Sequence, residues 1–258
     1  VLSWLIIMGG IGFLTVRDVR LYVFKKIPRI SLHAKTVLVV TAFLLIGGMI
    51  AILGLEWNNA LEGMPIKEKL LVSYFQSVTP RTAGFNTIDL TLLSSSTIFT
   101  LIILMYIGAS SGSCGGGIKT STLAVLFAFV KNRSLGREEV FLFKRTIPQD
   151  VVSKTVSVVT ASSLVILFMS LVLTASQSWG NSYAMTPGIF TDALFEIVSA
   201  FGTVGLSLGL TAKLSTFGKI VVIFTMLIGR VGPLAIALAV GGERPVRFKY
   251  AQERVMVG

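Results

Sequence analysis

From Thr36 to Leu55 the chain runs for 20 residues without a charge, about 30 Å as a helix and enough to cross a bilayer. Thr155 to Ala175 is a second uncharged run of spanning length. Phe217 to Gly242 is a third, interrupted by Lys219 near its start and Arg230 in its middle. Ser94 to Val130 is apolar as well, yet too long for one simple span. Its centre, Gly108 to Gly117, reads GASSGSCGGG, a composition that cannot hold a regular helix in lipid. Non-helical backbone at membrane depth is tolerated only where protein buries it or where it lines a watery cavity. The pattern therefore predicts a broken helix with a loop inside the membrane. Leu70 to Thr79 and Ile189 to Phe201 are too short to span, and each precedes a Gly-containing tract and a polar turn. Each is read as a re-entrant half-helix. Val1 to Val16 is apolar from the outset, without the basic start and small-residue cleavage site of a signal peptide. It is expected to be the cut end of a membrane helix, and the chain part of a larger protein.

The pattern repeats. Sliding the chain by 121 residues aligns Thr82–Gly108 with Thr203–Gly229 without a gap, pairing Thr82 with Thr203, Gly84 with Gly205, Ser94 with Ser215 and Gly108 with Gly229. The order of span, half-helix, Thr-x-Gly tract, polar turn and inner helix recurs in the same direction, which makes a parallel repeat.

Composition agrees with a membrane chain: of 258 residues, 53% are hydrophobic and only 14% charged. A soluble globule carries about 25% charged residues. The net charge of +11 arises from 23 Lys and Arg against 12 Asp and Glu. The positions of these residues explain the excess. Arg17, Arg20, Lys25, Lys26, Arg29 and Lys35 lie in the first connection. Lys131, Arg133, Arg137, Lys144, Arg145 and Lys154 follow the broken helix, and Arg244, Arg247, Lys249 and Arg254 lie in the tail. If the half-helices do not cross, all three segments share one face, expected to be cytoplasmic. Lys67, Lys69, Arg81, Lys213 and Lys219 are left for the opposite face, with Trp57 and Trp179 at the outer ends of their spans. The basic excess is thus topology, and no nucleic-acid partner is expected.

The chemistry concentrates in two tracts, Thr82-Ala83-Gly84-Phe85-Asn86 and Thr203-Val204-Gly205-Leu206-Ser207. A half-helix followed by exposed backbone carbonyls is how a protein replaces the hydration shell of an alkali cation. Glycine allows the positive φ that keeps successive carbonyls on one axis, and the C-terminal end of each half-helix favours a cation. Neither tract carries a carboxylate, which suits a permeant ion better than a tightly held divalent one.

With these residues in view, the sequence resembles the Trk/Ktr/HKT superfamily of potassium transporters, in particular the membrane subunit of bacterial Ktr or Trk systems. The resemblance is carried by Thr79-Pro80-Arg81-Thr82-Ala83-Gly84-Phe85-Asn86-Thr87, the loop through Gly115-Gly116-Gly117-Ile118-Lys119-Thr120, and Ser199-Ala200-Phe201-Gly202-Thr203-Val204-Gly205-Leu206-Ser207. It implies an all-α, multi-pass membrane protein of repeated helix–re-entrant pore loop–helix units, four around one pore, with K+ bound at the filter residues. On that pattern residues 1–34 end a preceding repeat and make a cytoplasmic connection. Residues 35–149 form the third repeat with its broken inner helix, 150–242 the fourth, and 243–258 a cytoplasmic tail. The C-terminal half of a Ktr-type subunit is expected. The resemblance further implies K+ uptake at the cell membrane, with Na+ as a second candidate ion and no organic cofactor. Its implied partners are a second copy of the subunit, membrane lipid and a cytosolic ring of RCK-type nucleotide-binding subunits. The basic connections and the tail ending Val255-Met256-Val257-Gly258 are the expected docking surfaces. With one glycine per tract, the carbonyl stack should be shorter than that of a TVGYG channel and less secure in selectivity.

The same resemblance places Gly108 to Gly117 beneath the filter as an obstruction. Arg230 lies mid-span at the repeat position of Ala109, where a cation costs roughly 2.5–3.5 kcal/mol on insertion scales and is functional by default. Loop carbonyls or the hydroxyls of Ser110, Ser111 and Ser113 are its expected partners. The candidate gate is Gly112, Ser113, Gly115, Gly116, Gly117, Lys119 and Arg230, with Lys119 reaching toward the cytoplasmic side. The rival reading is a secondary transporter of broken helices coupled to Na+ or H+, which normally needs carboxylates at depth. Only Asp192 and Glu196 qualify, and neither recurs in the first copy.

Enzymatic readings fail on context. Gly108-Ala109-Ser110-Ser111-Gly112 fits G-x-S-x-G but has no strand before it, and the only histidine, His33, lies in a basic connection. Gly112 to Thr120 approaches a phosphate-binding loop, but Ile118 separates Gly117 from Lys119. The single cysteine, Cys114, cannot form an intrachain disulfide. No His, Cys and carboxylate cluster has metal-ligand spacing, and no catalytic residue is expected.

Overall fold

The structure is a computed structural model that describes residues 1–180 and 182–233. The end of the third apolar run, residues 234–242, and the tail with its expected docking segment lie outside the described residues. The described elements are α1 (Leu2–Ile11), α2 (Phe13–Val23), α3 (Leu32–Glu56), α4 (Ile66–Val78), α5 (Ser95–Tyr106), α6 (Thr120–Ser134), β1 (Val140–Leu142), β2 (Arg145–Ile147), α7 (Gln149–Ser178), α8 (Ile189–Gly202) and α9 (Thr216–Val231).

Helices α3 and α7 are each long and apolar enough to cross a membrane. Ser31 opens α3 by accepting the Ala34 N–H through its side chain at 3.1 Å, and Pro148 precedes α7. The outward faces are what lipid requires and water forbids. Phe43, Ile46 and Ile50 on α3, and Leu164, Leu167, Phe168 and Leu171 on α7, form exposed stripes at helical spacing. The shorter α4 packs on α3, and α8 packs among α5, α7 and α9. Phe195, Ile197 and Phe201 of α8 pack with Leu101 and Met105 of α5 and Leu173 of α7 in the main core. On α4, Ser77 Oγ donates to the Leu45 carbonyl at 2.7 Å, a polar tie to α3 of the kind that holds helices together in lipid.

The two copies agree in local geometry at the same offset. One 3-10 turn spans Leu90–Leu92 and another Thr211–Lys213. Ser94 caps α5 and Ser215 caps α9, each accepting a backbone N–H three residues on. Thr82 and Thr203 both adopt left-handed backbone, with φ of 66° and 52°.

Three features differ from the sequence expectation. Val1 to Val16 is two helices, because the chain turns by 99° between α1 and α2. The turn occurs at Gly12, whose φ of 85° few other residues could supply. A small antiparallel hairpin, β1–β2, follows α6 with Val140 opposite Ile147, and both are buried against Val125 and Val152. It ties α6 to α7 and leaves the architecture helical. Finally, Arg81 and Lys69, read as outer-face charges, are buried. Lys69 Nζ donates to the Trp57 carbonyl at 3.0 Å and lies 4.4 Å from that ring's centre, using the aromatic face and a backbone acceptor in place of water.

Candidate functional site

Each half-helix delivers one Thr-x-Gly tract, and the tracts meet backbone to backbone. A Cβ built on Gly84 would stand 2.6 Å from the Val204 carbonyl oxygen and 3.3 Å from Gly205 Cα, so only glycine fits between them. Gly84 and Gly205 both have positive φ, 72° and 94°. Val204 and Leu206 bury their side chains in the core, which leaves the backbone as the part of that tract facing Gly84.

Different devices anchor the two tracts. In the first, the buried Thr79 hydroxyl donates to the Phe85 carbonyl at 2.5 Å, and the Ala83 N–H returns to the Thr79 carbonyl at 3.1 Å. Phe85 and Asn86 at its outer end are exposed. In the second, Ser207 donates to Glu196 Oε2 at 2.8 Å while Thr211 donates to the other carboxylate oxygen. Glu196 is only 6% exposed, and α8 holds it behind Thr203–Ser207. Glu196 therefore pins the tract from behind, a poor position for a carboxylate meant to carry a coupled ion. Replacing Glu196 with Ala leaves two hydroxyls without their acceptor, an expected loss of roughly 1–3 kcal/mol. A lower midpoint in a thermal melt of the detergent-solubilised protein checks this. An unchanged midpoint removes the pin.

The chain between α5 and α6 leaves helical geometry from Ile107 to Lys119 and turns directly beneath the tracts. The Gly116 N–H donates to Thr203 Oγ1 at 2.9 Å. A Cβ on Gly115 would lie 2.9 Å from Thr82 Cγ2, so the loop touches the inner threonine of both tracts. From below, the α1–α2 elbow holds the loop: Phe13 N–H donates to the Gly112 carbonyl at 3.1 Å, and Ser110 N–H to the Gly10 carbonyl at 2.9 Å. Ser113 Oγ closes back on the Ser110 carbonyl at 2.6 Å. The backbone bridge of Ile107 with Ile118 joins its two ends.

Three cations bind this loop. Arg230, near the end of α9, donates to the Cys114 carbonyl. Its partner is thus a loop carbonyl, as expected, rather than a serine hydroxyl. Lys119 does not reach away to the cytoplasmic side. Its ammonium turns inward to the Gly115 carbonyl at 2.5 Å, where it supplies one of the donors the non-helical backbone needs. Gly117 packs against Gly108 at the point where α5 gives way to the loop. Sequence reasoning missed Arg81 as a member of this centre. It is 4% exposed and Nη1 donates to the Gly108 carbonyl at 3.3 Å, joining the first tract to the start of the loop. Its place between Pro80 and Thr82, inside the tract motif, was the available signal.

The arrangement can present carbonyl oxygens to a cation between two tracts and can block the space below them. Among the described residues no cluster of His, Cys, Asp and Glu could hold a metal ion.

The family model described as TrkH, cation transport protein, matches residues 1–246. The chain is 40% identical over 264 residues to the potassium/sodium uptake protein NtpJ of Enterococcus hirae, covering 100% of this chain and 56% of that one. It is 36% identical over 259 residues to the Ktr system potassium uptake protein B of Vibrio alginolyticus, covering 100% of this chain and 55% of the relative. The chain thus spans about half the length of these curated relatives, which are transporters and not enzymes. The crystal structure of the potassium transporter TrkH from Vibrio parahaemolyticus superposes with a TM-score of 0.70 at 18% identity, over 92% of this chain and 50% of that one, a likeness of fold. A helical chain with membrane-spanning segments, matched by one family model almost from end to end, belongs to the TrkH family of cation transport proteins.

Proposed function

We propose that within its intact subunit this chain carries K+ across the cell membrane through backbone-carbonyl sites at Thr82–Asn86 and Thr203–Ser207, with Na+ as the second ion admitted. The reading rests on the close backbone meeting of Gly84 with Val204 above the intramembrane loop. Because two tracts cannot encircle an ion, further tracts from the rest of the subunit complete the ring. Residues 35–149 and 150–242 act as successive pore-loop repeats. The loop Gly112 to Gly117, with Lys119 and Arg230, is the gate: it occupies the ion's path, and the arginine adds an electrostatic barrier there. The names of the relatives, potassium/sodium uptake protein and Ktr system potassium uptake protein, support the choice of ion. The word system in the second supports an assembly, here a homodimer on a cytosolic RCK-type nucleotide-binding ring docked to the basic connections. Those connections and the C-terminus face the cytoplasm.

The test is uptake by the intact subunit in cells that lack their own K+ import. Growth at low external K+ and K+ uptake exceeding that of Na+ are the expected results. Saturable uptake of a solute other than an alkali cation would replace this reading with the coupled carrier.

A further inference from the structure

A cavity of about 810 Å³ lies between the α1–α2 elbow and the intramembrane loop. Its size falls within the range of small-molecule sites, about 300–1,000 Å³. One face of α2 forms much of its wall, Phe13, Val16, Arg17, Arg20 and Leu21 at the spacing of successive helical turns, with Phe24 at its cap. Lys26 adds a third positive charge just beyond the helix, while Gly112, Ser113 and Cys114 of the loop close the opposite side. No carboxylate lines the cavity among the described residues, and Asp18, the acid on α2, is off this face. Three exposed cations with no acid between them make the cavity complementary to an anion. The apolar part of the wall, Met8 with Phe13, Val16 and Phe24, requires in addition something hydrocarbon.

The helix itself sits where such a molecule is found. It turns by 99° from apolar α1, so it runs along the membrane surface if α1 runs through the membrane. Phe13, Val23 and Phe24 are exposed alongside its basic residues, the make-up of an interfacial helix. A free phosphate or an acidic peptide would satisfy the cations and leave the apolar wall unused. We propose that this cavity seats the phosphate headgroup of an anionic phospholipid, whose first methylenes lie on the apolar wall. Its occupancy biases the loop through the contacts of Gly112 and Cys114 with the elbow. The biasing role rests on the gate reading above, whereas the binding site does not. The anion also offsets the positive field of Arg17, Arg20 and Lys26 beside the ion's route.

Two measurements test this on the intact subunit. The first is retention of phosphatidylglycerol through purification, read by native mass spectrometry. Each basic residue near a headgroup contributes about fivefold to binding, so R17Q/R20Q should lower retention roughly 25-fold, and R17K/R20K should preserve it. Retention unchanged in R17Q/R20Q overturns the site. Displacement of the lipid by millimolar inorganic phosphate reassigns the cavity to a free anion, and displacement by polyglutamate reassigns it to an acidic protein segment. Either outcome overturns the lipid assignment. The second measurement is K+ flux in vesicles of phosphatidylcholine alone or mixed 3:1 with phosphatidylglycerol. A severalfold rise with the anionic lipid, absent in R17Q/R20Q, is expected. The same rise in the variant overturns the coupling. Failure of flux in every vesicle counts against the transport reading, and retention still decides the site.

Discussion

Gly84→Ser in the intact subunit is expected to lower K+ uptake roughly tenfold or more, and with it the preference for K+ over Na+. Two independent costs coincide at this position. The φ of 72° is one that a residue with a side chain adopts only at about 1–2 kcal/mol. The new Cβ would also sit 2.6 Å from the Val204 carbonyl oxygen, which is backbone and cannot rotate aside. Either the carbonyl turns or the two tracts separate, and both spoil a cation site made of fixed oxygens. Gly205→Ser supplies the comparison. Its Cβ would lie 3.6 Å from Gly84 Cα, an ordinary contact, so only the backbone cost remains. Uptake should fall less in Gly205→Ser than in Gly84→Ser at matched membrane abundance. Equal uptake in Gly84→Ser and wild type would remove the tract from the ion's path.

The second large effect has the opposite sign. Removing the Arg230 guanidinium, or deleting Gly112 to Gly116, should raise K+ flux. The donor to the Cys114 carbonyl is charged, and such a bond contributes about 1.5–3 kcal/mol to the position of the loop. Its loss shifts the ratio of displaced to seated loop by roughly 10- to 150-fold. The electrostatic barrier goes with it. Arg230→Lys keeps the charge but not the reach and geometry of the guanidinium, so it should fall between wild type and Arg230→Ala. Flux is measured by initial K+ uptake normalised to protein in the membrane. Unchanged flux in both Arg230→Ala and the deletion would dismiss the loop as the obstruction.

Much of this architecture was legible because hydropathy and glycine report directly on membrane depth. The long apolar helices α3 and α7, the short helices α4 and α8 and the break after α5 follow from apolar run lengths and one Gly/Ser-rich interval. The 121-residue repeat offset by itself pairs the two tracts, Thr82 with Thr203 and Gly84 with Gly205. Other features were hidden for identifiable reasons. The β1–β2 turn uses Phe143 and Lys144 in left-handed backbone, φ of 49° and 63°, instead of the Asn-Gly or Gly-Gly that announces such a hairpin. The elbow at Gly12 lies among Gly9, Gly10 and neighbouring apolar residues, and composition does not encode the direction of a bend. Arg81 was assigned to the outer face, and Lys119, although placed in the candidate gate, was expected to reach toward the cytoplasmic side, because charge is usually a marker of exposure. Here each is needed to donate to a carbonyl that the broken helix leaves without a partner.

The first copy leaves helical geometry at Ile107, whereas α9 stays helical through the equivalent Ile228 to Val231 and is interrupted only at Gly232, with a φ of 95°; residues 234–238, at the repeat positions of Ser113–Gly117, lie outside the described residues. Within the described residues one loop, Ile107 to Lys119, touches the inner threonine of both tracts. A pore gated by equivalent parts in every repeat would open in steps, through partly open intermediates. If this one loop is the gate proposed above, it has one opening equilibrium, and each intact subunit is expected to switch between two conductance levels. Signals arriving from the elbow, from α9 or from the hairpin are then summed as free energies on the same loop rather than divided among several gates.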